Sequence, residues 1–312
     1  GTSWDDFLQD RIFDPLGMES TRTTTLAITE LPNVATPHVL DDGAVRPIPW
    51  RNFDNLGGAG AINSTAWEMA QWLRLQLGRG IFQETRLLSD SVVKEMHTPQ
   101  TVIRPGENTE KLFPETHFQA YGLGWTLQDY RGRKLIRHGG SLDGMRTQVG
   151  MLPEEGLGVV AITNLNNSWI PQVVLYHVLD RFLGPRDKDW NEVMHMAYLE
   201  GETEARDRRA EEEESRIQGT SPSLDREDYV GVYSDDLYGT AQVRLDEDGL
   251  VLEVGPEFVG DLEHWHFDTF RARWRDESLG RAWVQFRLDR RGKVAEVEVQ
   301  GWRAFQKTEG QR

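Results

Sequence analysis

The chain has 312 residues, 38% of them hydrophobic and 28% charged, with eleven Trp and no Cys. At ~100–200 residues per domain this length predicts about two domains, each able to bury a core. An aromatic content of 10% excludes a disordered or low-complexity chain, and no apolar run approaches the ~18–20 residues that span a bilayer, so no transmembrane segment is expected. The lack of Cys removes disulfide scaffolds, thiolate nucleophiles and Cys-ligated zinc. A net charge of −16, from 35 basic and 51 acidic residues, argues against nucleic acid as a partner, because such binding neutralises phosphates with Lys and Arg. The start, Gly1-Thr2-Ser3-Trp4, has no initiator Met, basic n-region or apolar h-region. It reads as a cut end rather than a signal peptide.

Residues 2–13 read as a helix capped by Ser3, with Trp4, Phe7, Leu8 and Ile12 on one face and Asp14-Pro15 as its stop. Residues 20–56, rich in Thr, Pro and Asp, read as a long surface excursion. The glycine turn Gly57-Gly58-Ala59-Gly60 leads to a second helix. There Thr65 and Glu68 form a capping box, Met69, Trp72 and Leu73 a stripe, and Gly78 the end. Residues 90–97 read as another short helix.

From Tyr121 the hydrophobic period changes to two. YGLGWTLQDY and KLIRHGG form a hairpin around Arg131-Gly132, and TQVGMLPEEGLGVVAITN a second around Pro153–Gly156. The continuous apolar run Gly158–Thr163 predicts a strand buried on both faces. A helix from about Pro171 to Leu183 follows, ended by Gly184-Pro185. The first ~185 residues therefore predict an α+β fold.

Residues 186–225 differ in kind. Between Glu200 and Arg216 lie eight acidic and four basic side chains, which reads as an acidic linker with helical tendency. Beyond Asp228 the chain is strand-like throughout: YVGVY, TAQVRL, LVLEV, LEHWHFDTFRARW, WVQFRL and KVAEVEVQGW. Seven or eight short strands in ~80 residues predict a small closed barrel or sandwich over 226–312.

The strongest chemical feature is His138-Gly139-Gly140-Ser141, at the end of a strand entering a loop. Paired glycines let a ligand approach the backbone, the next N–H groups can face an oxyanion, and the His can orient or shuttle a proton. The same letters also fit a plain glycine-rich strand exit. His264-Trp265-His266 reads as cross-strand polar packing rather than a metal pair, so no metal site is expected. Trp265, Trp274, Trp283 and Trp302 read as barrel filling.

Five segments, RIFDPLGMEST (11–21), GGAGAINSTAWEMAQWL (57–73), YGLGW (121–125), HGGSLDGM (138–145) and LPEEGLGVVAITN (152–164), resemble in order and spacing the serine β-lactamase and penicillin-binding-protein superfamily. The likeness is to its esterase, D-aminopeptidase and peptidase branch and covers about residues 1–183. The terminal β-domain is similar to the lipocalin-like domain on some peptidases of that branch. The resemblance implies a partial β-lactamase-like antiparallel sheet with helices, and a serine hydrolase working through an acyl-enzyme on an ester, amide or D-amino-acid peptide. It implies no cofactor, a small-molecule or peptide substrate, a possible homo-oligomer, and a periplasmic or extracellular location.

In that family the site combines Ser-x-x-Lys, Tyr-x-Asn and a Lys-Thr-Gly or His-x-Gly strand. Residues 138–140 match the last. By resemblance, His138 contacts the substrate carboxylate or assists proton transfer, Gly139 and Gly140 keep the strand edge open, and the Ser141 N–H is an oxyanion donor. The other two motifs lie upstream of the family segment matching residues 2–18, so the chain is expected to be truncated before its nucleophile and inactive alone. Ser91-Val92-Val93-Lys94 fits the first motif by letters but falls in a peripheral helix, and Tyr233-Ser234-Asp235 falls in the β-domain; both read as chance. Without the upstream strands, Gly158–Thr163 is expected to form an exposed apolar edge. The alternative is a non-catalytic fragment or binding module whose β-barrel holds a ligand or partner.

Overall fold

Ser3 caps helix α1 (Trp4–Leu8) by accepting a hydrogen bond from the Asp6 N–H at 3.0 Å. In the computed structural model, which describes residues 1–28, 31–41, 43–276 and 279–308, Pro15 does not stop this helix. A π turn over Gln9–Phe13 intervenes, and a last turn, α2 (Asp14–Leu16), carries the chain to Gly17 with φ 67°. Pro lacks an N–H and crowds the carbonyl four residues back; the wider π turn relieves that conflict.

The excursion over 20–56 contains one short hairpin, β1 (His38–Asp41) with β2 (Ala44–Pro47). Gly57–Gly60, expected as an open turn, is a single helical turn, α3. In α4 (Ala66–Leu77), Thr65 Oγ accepts from the Glu68 N–H at 3.2 Å. Only half of the predicted capping box reciprocates. The buried Glu68 carboxylate instead accepts from the Ser20 N–H at 2.8 Å and the Thr21 hydroxyl at 2.6 Å, pinning the start of the excursion to α4. Leu75 packs with Ile12, Phe13, Leu16 and Met18 in one buried cluster. A two-residue ladder, β3 (Ile81–Phe82) and β4 (Thr85–Arg86), precedes α5 (Asp90–Met96).

The first unit, Gly1–Gly201, is organised on a six-stranded antiparallel sheet. Its strands are β5 (Thr101–Ile103), β6 (Gln119–Tyr121), β7 (Thr126–Tyr130), β8 (Arg133–Leu142), β9 (Met145–Leu152) and β10 (Leu157–Thr163), hydrogen-bonded in sequence order. Helix α6 (Glu107–Leu112) lies in the β5–β6 connection. The predicted hairpin turn stands at Arg131-Gly132, where both φ angles are positive, as two-residue hairpin turns require.

The run Gly158–Thr163 is an edge strand, and among its residues only Val159 is buried. Its apolar character reflects helices over its faces rather than strands on both sides. A Cβ on Gly158 would lie 3.3 Å from Leu73 and Leu77 of α4, and one on neighbouring Gly150 of β9 would lie 2.6 Å from Leu175 of α7 (Ile170–Leu183).

Residues 190–214 of the expected linker form one 25-residue helix, α8 (Trp190–Glu214). Trp190 and Met194 are buried in the first unit beside Tyr130, Tyr176 and Leu179. Asp180 of α7 joins three elements there, accepting from Tyr130 Oη at 2.7 Å, Arg131 at 2.8 Å and Trp190 Nε1 at 2.6 Å. The division between the two units falls within α8, at 201/202.

The second unit, Glu202–Arg312, holds a short helix, α9 (Arg226–Tyr229), and a closed eight-stranded antiparallel barrel. The strands are β11 (Gly231–Asp235), β12 (Gly239–Leu245), β13 (Leu250–Val254), β14 (Phe258–His266), β15 (Thr269–Trp274), β16 (Arg281–Leu288), β17 (Val294–Val299) and β18 (Ala304–Lys307), with β11 pairing β18 to close it. Tyr229, Tyr233, Phe270, Trp274, Phe286 and Phe305 fill the core.

Two of the four tryptophans assigned to barrel filling lie elsewhere. Trp274 belongs to the core and Trp302 packs against it. Trp265 and Trp283 pack on each other outside that cluster at 4.8 Å, and Arg216 and Arg271 sit 4.8 and 4.7 Å from the Trp265 ring. Arg216 also donates to the carbonyls of His264 and Trp265, and Arg271 to Glu213, so the end of α8 and the residues after it are tied to β14 and β15.

Candidate active site

Strand β8 has ten residues and its neighbour β7 only five. Pairing with β7 ends at Thr126↔Arg137, whereas pairing with β9 continues through His138↔Val149 to Leu142↔Met145. Residues 138–142 are thus laddered on one side only. On the other side their backbone N–H and C=O groups have no β7 residues to meet, and such groups seek partners.

His138 is exposed on this half-open segment. Its Nδ1 lies 2.6 Å from the Gly124 carbonyl. A carbonyl only accepts, so Nδ1 carries a proton and donates. Gly124 has φ 79°, a left-handed conformation that a side chain would strain. The Tyr121 ring stands edge-on to His138 at 6.1 Å.

Alternation along the strand puts His138 and Gly140 on one face, Gly139 and Ser141 on the other. A Cβ on Gly140 would come within 2.4 Å of Thr147 Oγ1, and one on Gly139 within 3.0 Å of Gln148 Oε1. Both glycines are therefore sterically required by β9 as well as useful to a ligand. Ser141 is exposed, with Arg146 3.4 Å from its hydroxyl; that hydroxyl points away from the His138 face.

Sequence reasoning missed three supports of this segment. Gln148 is buried and donates from Nε2 to the His138 and Val149 carbonyls, each at 3.0 Å. Nothing in the sequence sets it apart from the polar Arg146 and Thr147 that precede it in β9. Arg51 pairs with Asp143 at 2.9 Å, and the His38 N–H donates to Gly144 O at 3.2 Å. The 20–56 excursion thus grips the tip of the β8–β9 hairpin. Gly144, at φ 74°, permits that grip, since a Cβ there would meet Pro37 at 2.4 Å.

The other candidates fall elsewhere. Ser91 and Lys94 lie at the start of α5. The Ser91 hydroxyl is 2.9 Å from that of Ser89, and Lys94 Nζ is 2.7 Å from Asp90. Hydrogen bonds from Lys94 and Arg79 hold the Asp90 carboxyl below its usual range. Lys94 is thus engaged with Asp90 rather than with the Ser91 hydroxyl. Tyr233 is buried in the barrel and donates to Tyr229 O at 2.6 Å; burial pushes its phenol up. A β-bulge between His264 and His266 breaks the simple alternation expected of that pair, and His264 Nε2 donates to Phe267 O at 2.9 Å. Among the described residues no group of three or more His, Asp or Glu could hold a metal ion. Among them too, no helix is long and apolar enough to cross a membrane.

An antiparallel sheet with helices on its faces, whose longest strand ends half-open at a His-Gly-Gly, is the arrangement of the serine β-lactamase and penicillin-binding-protein class. The Beta-lactamase family model matches residues 1–179, and the chain belongs to that family. A second model, a domain of unknown function (DUF3471), matches residues 215–312.

The chain is similar to Unguisins hydrolase ungD′ of Aspergillus campestris, 29% identical over 200 residues, which are 60% of this chain and 34% of that protein. It is 26% identical to Unguisins hydrolase ungD of Aspergillus violaceofuscus over 266 residues, 76% of this chain and 45% of the other. With Penicillin-binding protein 4 of Amycolatopsis lactamdurans it shares 28% identity over 171 residues, 53% of this chain and 42% of the relative. The chain thus spans less than half the length of each. Among solved structures, an octameric penicillin-binding protein homologue from Pyrococcus abyssi aligns with 98% of this chain and 60% of its own, at TM-score 0.51 and 17% identity. That likeness is one of fold.

Proposed function

We propose that this chain forms part of a serine hydrolase that works through an acyl-enzyme on an ester, an amide or a D-amino-acid peptide. One observation carries the reading: the strand end His138–Leu142 is open along one edge, with the His138 tautomer set by the Gly124 carbonyl. A substrate acyl group lying along that edge meets backbone donors, of which the Ser141 N–H stabilises the oxyanion. His138 Nε2 holds a substrate carboxylate or shuttles a proton, and Gly139 and Gly140 let the substrate approach. Ser91 and Lys94 are engaged with other partners, so the reading has its nucleophile on a residue outside these 312. Membership of the β-lactamase family and similarity to the two Aspergillus unguisins hydrolases support it.

In any form of the protein that shows hydrolytic turnover, His138→Ala is expected to lower it ~10–1000-fold, as for loss of a positioned acid or base. Assays on p-nitrophenyl esters and D-amino-acid amides measure this, and unchanged turnover would remove His138 from the mechanism. Treating the 312-residue chain with a fluorophosphonate probe is expected to give no stoichiometric label. A label mapped to Ser91 would overturn the placement of the nucleophile.

A further inference from the structure

A second concave feature lies at the other end of the sheet face that carries His138. It is a cavity of about 640 Å³ beside β5, β6 and β7. The register sets Val102, Ala120, Leu127 and Ile136 side by side across four strands. Period-two alternation then places Phe118 next to Ala120, and Lys134 next to Ile136, on the same face. The cavity is lined by Val102, Phe118, Ala120 and Leu127, with Arg104 and Lys134 also in its wall.

Two properties set this groove apart from an ordinary patch of sheet. Val102 and Phe118 are 82% and 78% exposed, so its apolar wall is uncovered. Its cations are also unsatisfied. Asp129, the acid in the wall, is committed to the His117 imidazole at 3.0 Å and to the His117 and Phe118 N–H groups at 2.8 Å. Glu155 is taken by Arg133. Arg104 and Lys134 have no ion-pair partner among the described residues, although the chain carries an excess of acids. An apolar floor beside two free cations is complementary to a ligand with a hydrophobic body and an anionic end.

The groove is separate from the His138 segment. Four residues along one strand span about 13 Å, and between Lys134 and His138 the fully buried Ile136 packs with Trp125, Leu127 and Met151.

We propose that this groove binds a small amphipathic carboxylate, its apolar body against Val102 and Phe118 and its carboxylate between Arg104 and Lys134. The probe is 4-phenylbutyrate, with 4-phenylbutanol as the neutral partner, titrated into the deuterated 312-residue chain and followed by amide NMR. Saturable shifts are expected at Val102, Phe118, Leu127 and Lys134, with a dissociation constant on the order of 1 mM for so small a ligand. The alcohol is expected to bind at least about fivefold more weakly, as is the acid to Arg104→Ala/Lys134→Ala, because the charge-assisted contacts are lost. The spectrum of the free variant checks that it is folded, and Arg104→Lys/Lys134→Arg, which keeps both charges, should restore most of the affinity. Equal affinity for acid and alcohol, shifts confined to 138–141, or shifts that never saturate would each overturn the proposal.

Discussion

The barrel and the six-stranded sheet are both antiparallel and of similar strand number, yet they handle their edges in opposite ways. The barrel closes through β11 and β18 and fills itself with aromatic rings, so its strands are paired laterally and its inner face is packed. The sheet keeps two edges, β10 and β5, and leaves half of β8 unpaired on one side. Closure favours stability; incompleteness supplies backbone donors and concave surface. Candidate chemistry accordingly collects on the open sheet, while in the barrel groups such as Asp268 and Arg271 are engaged in holding neighbouring segments together.

The sharpest way to break this contrast is to empty the barrel. Phe286→Ala removes a ring that touches Tyr229, Tyr233 and Phe270, and a loss of about 3–5 kcal/mol is expected in urea unfolding of the second unit. A loss below ~1 kcal/mol would mean the interior is not tightly filled. In the first unit, Asp180→Ala strips three buried donors of their shared acceptor, at about 2–4 kcal/mol. Near-ultraviolet circular dichroism of Trp190 should weaken with it. His138→Ala belongs to the opposite class, with a large effect on turnover and a small one on the unfolding midpoint.

A pH scan sharpens the comparison further. Burial, helped by the charge of Lys134, holds the His97 imidazole down at about 4 against its ordinary 6.5. The unfolded chain therefore takes up a proton that the folded one refuses. The contribution is complete above pH 6.5 and is lost as pH falls toward 4, by about 1–2 kcal/mol once partial exposure is allowed for. His97→Gln should flatten that part of the stability profile. Smallest of all, Glu213→Ala, which removes the α8 partner of Arg271 on β15, should cost about 0.2–1 kcal/mol, less in high salt.

Local signals were read well because they act over a few residues. The Thr65 cap, the Arg131-Gly132 turn and the alternation in TAQVRL and LVLEV each specify their own geometry. What escaped depends on distant partners. Pro15 reads as a stop unless the preceding π turn is known. The apolar run Gly158–Thr163 predicts burial on both faces, yet only Val159 is buried; its place at the sheet edge is expected from the family resemblance and not from its periodicity. Arg51, His38 and Gln148 carry no signature, since their roles arise only when the 20–56 excursion and β9 fold against the His138 segment. Trp265 reads as barrel filling by residue type, but it is out of phase with the inward Phe258 and Leu262 of β14, and two arginines cover it outside the core.

The unequal lengths of β7 and β8 have a consequence for how this family member tolerates change. Along one continuous strand, residues 133–135 pair with β7 alone, 136–137 with both neighbours and 138–142 with β9 alone, while Leu135 and Ile136 are fully buried. A saturation scan across β8 should divide accordingly. Substitutions at the buried Leu135 and Ile136 would lower folded yield, as would side chains at Gly139 and Gly140, whereas those at the exposed His138, Ser141 and Leu142 would leave yield intact and alter which molecules the open edge accepts. New specificity can therefore arise at the exposed positions around the two glycines at little expense to the scaffold.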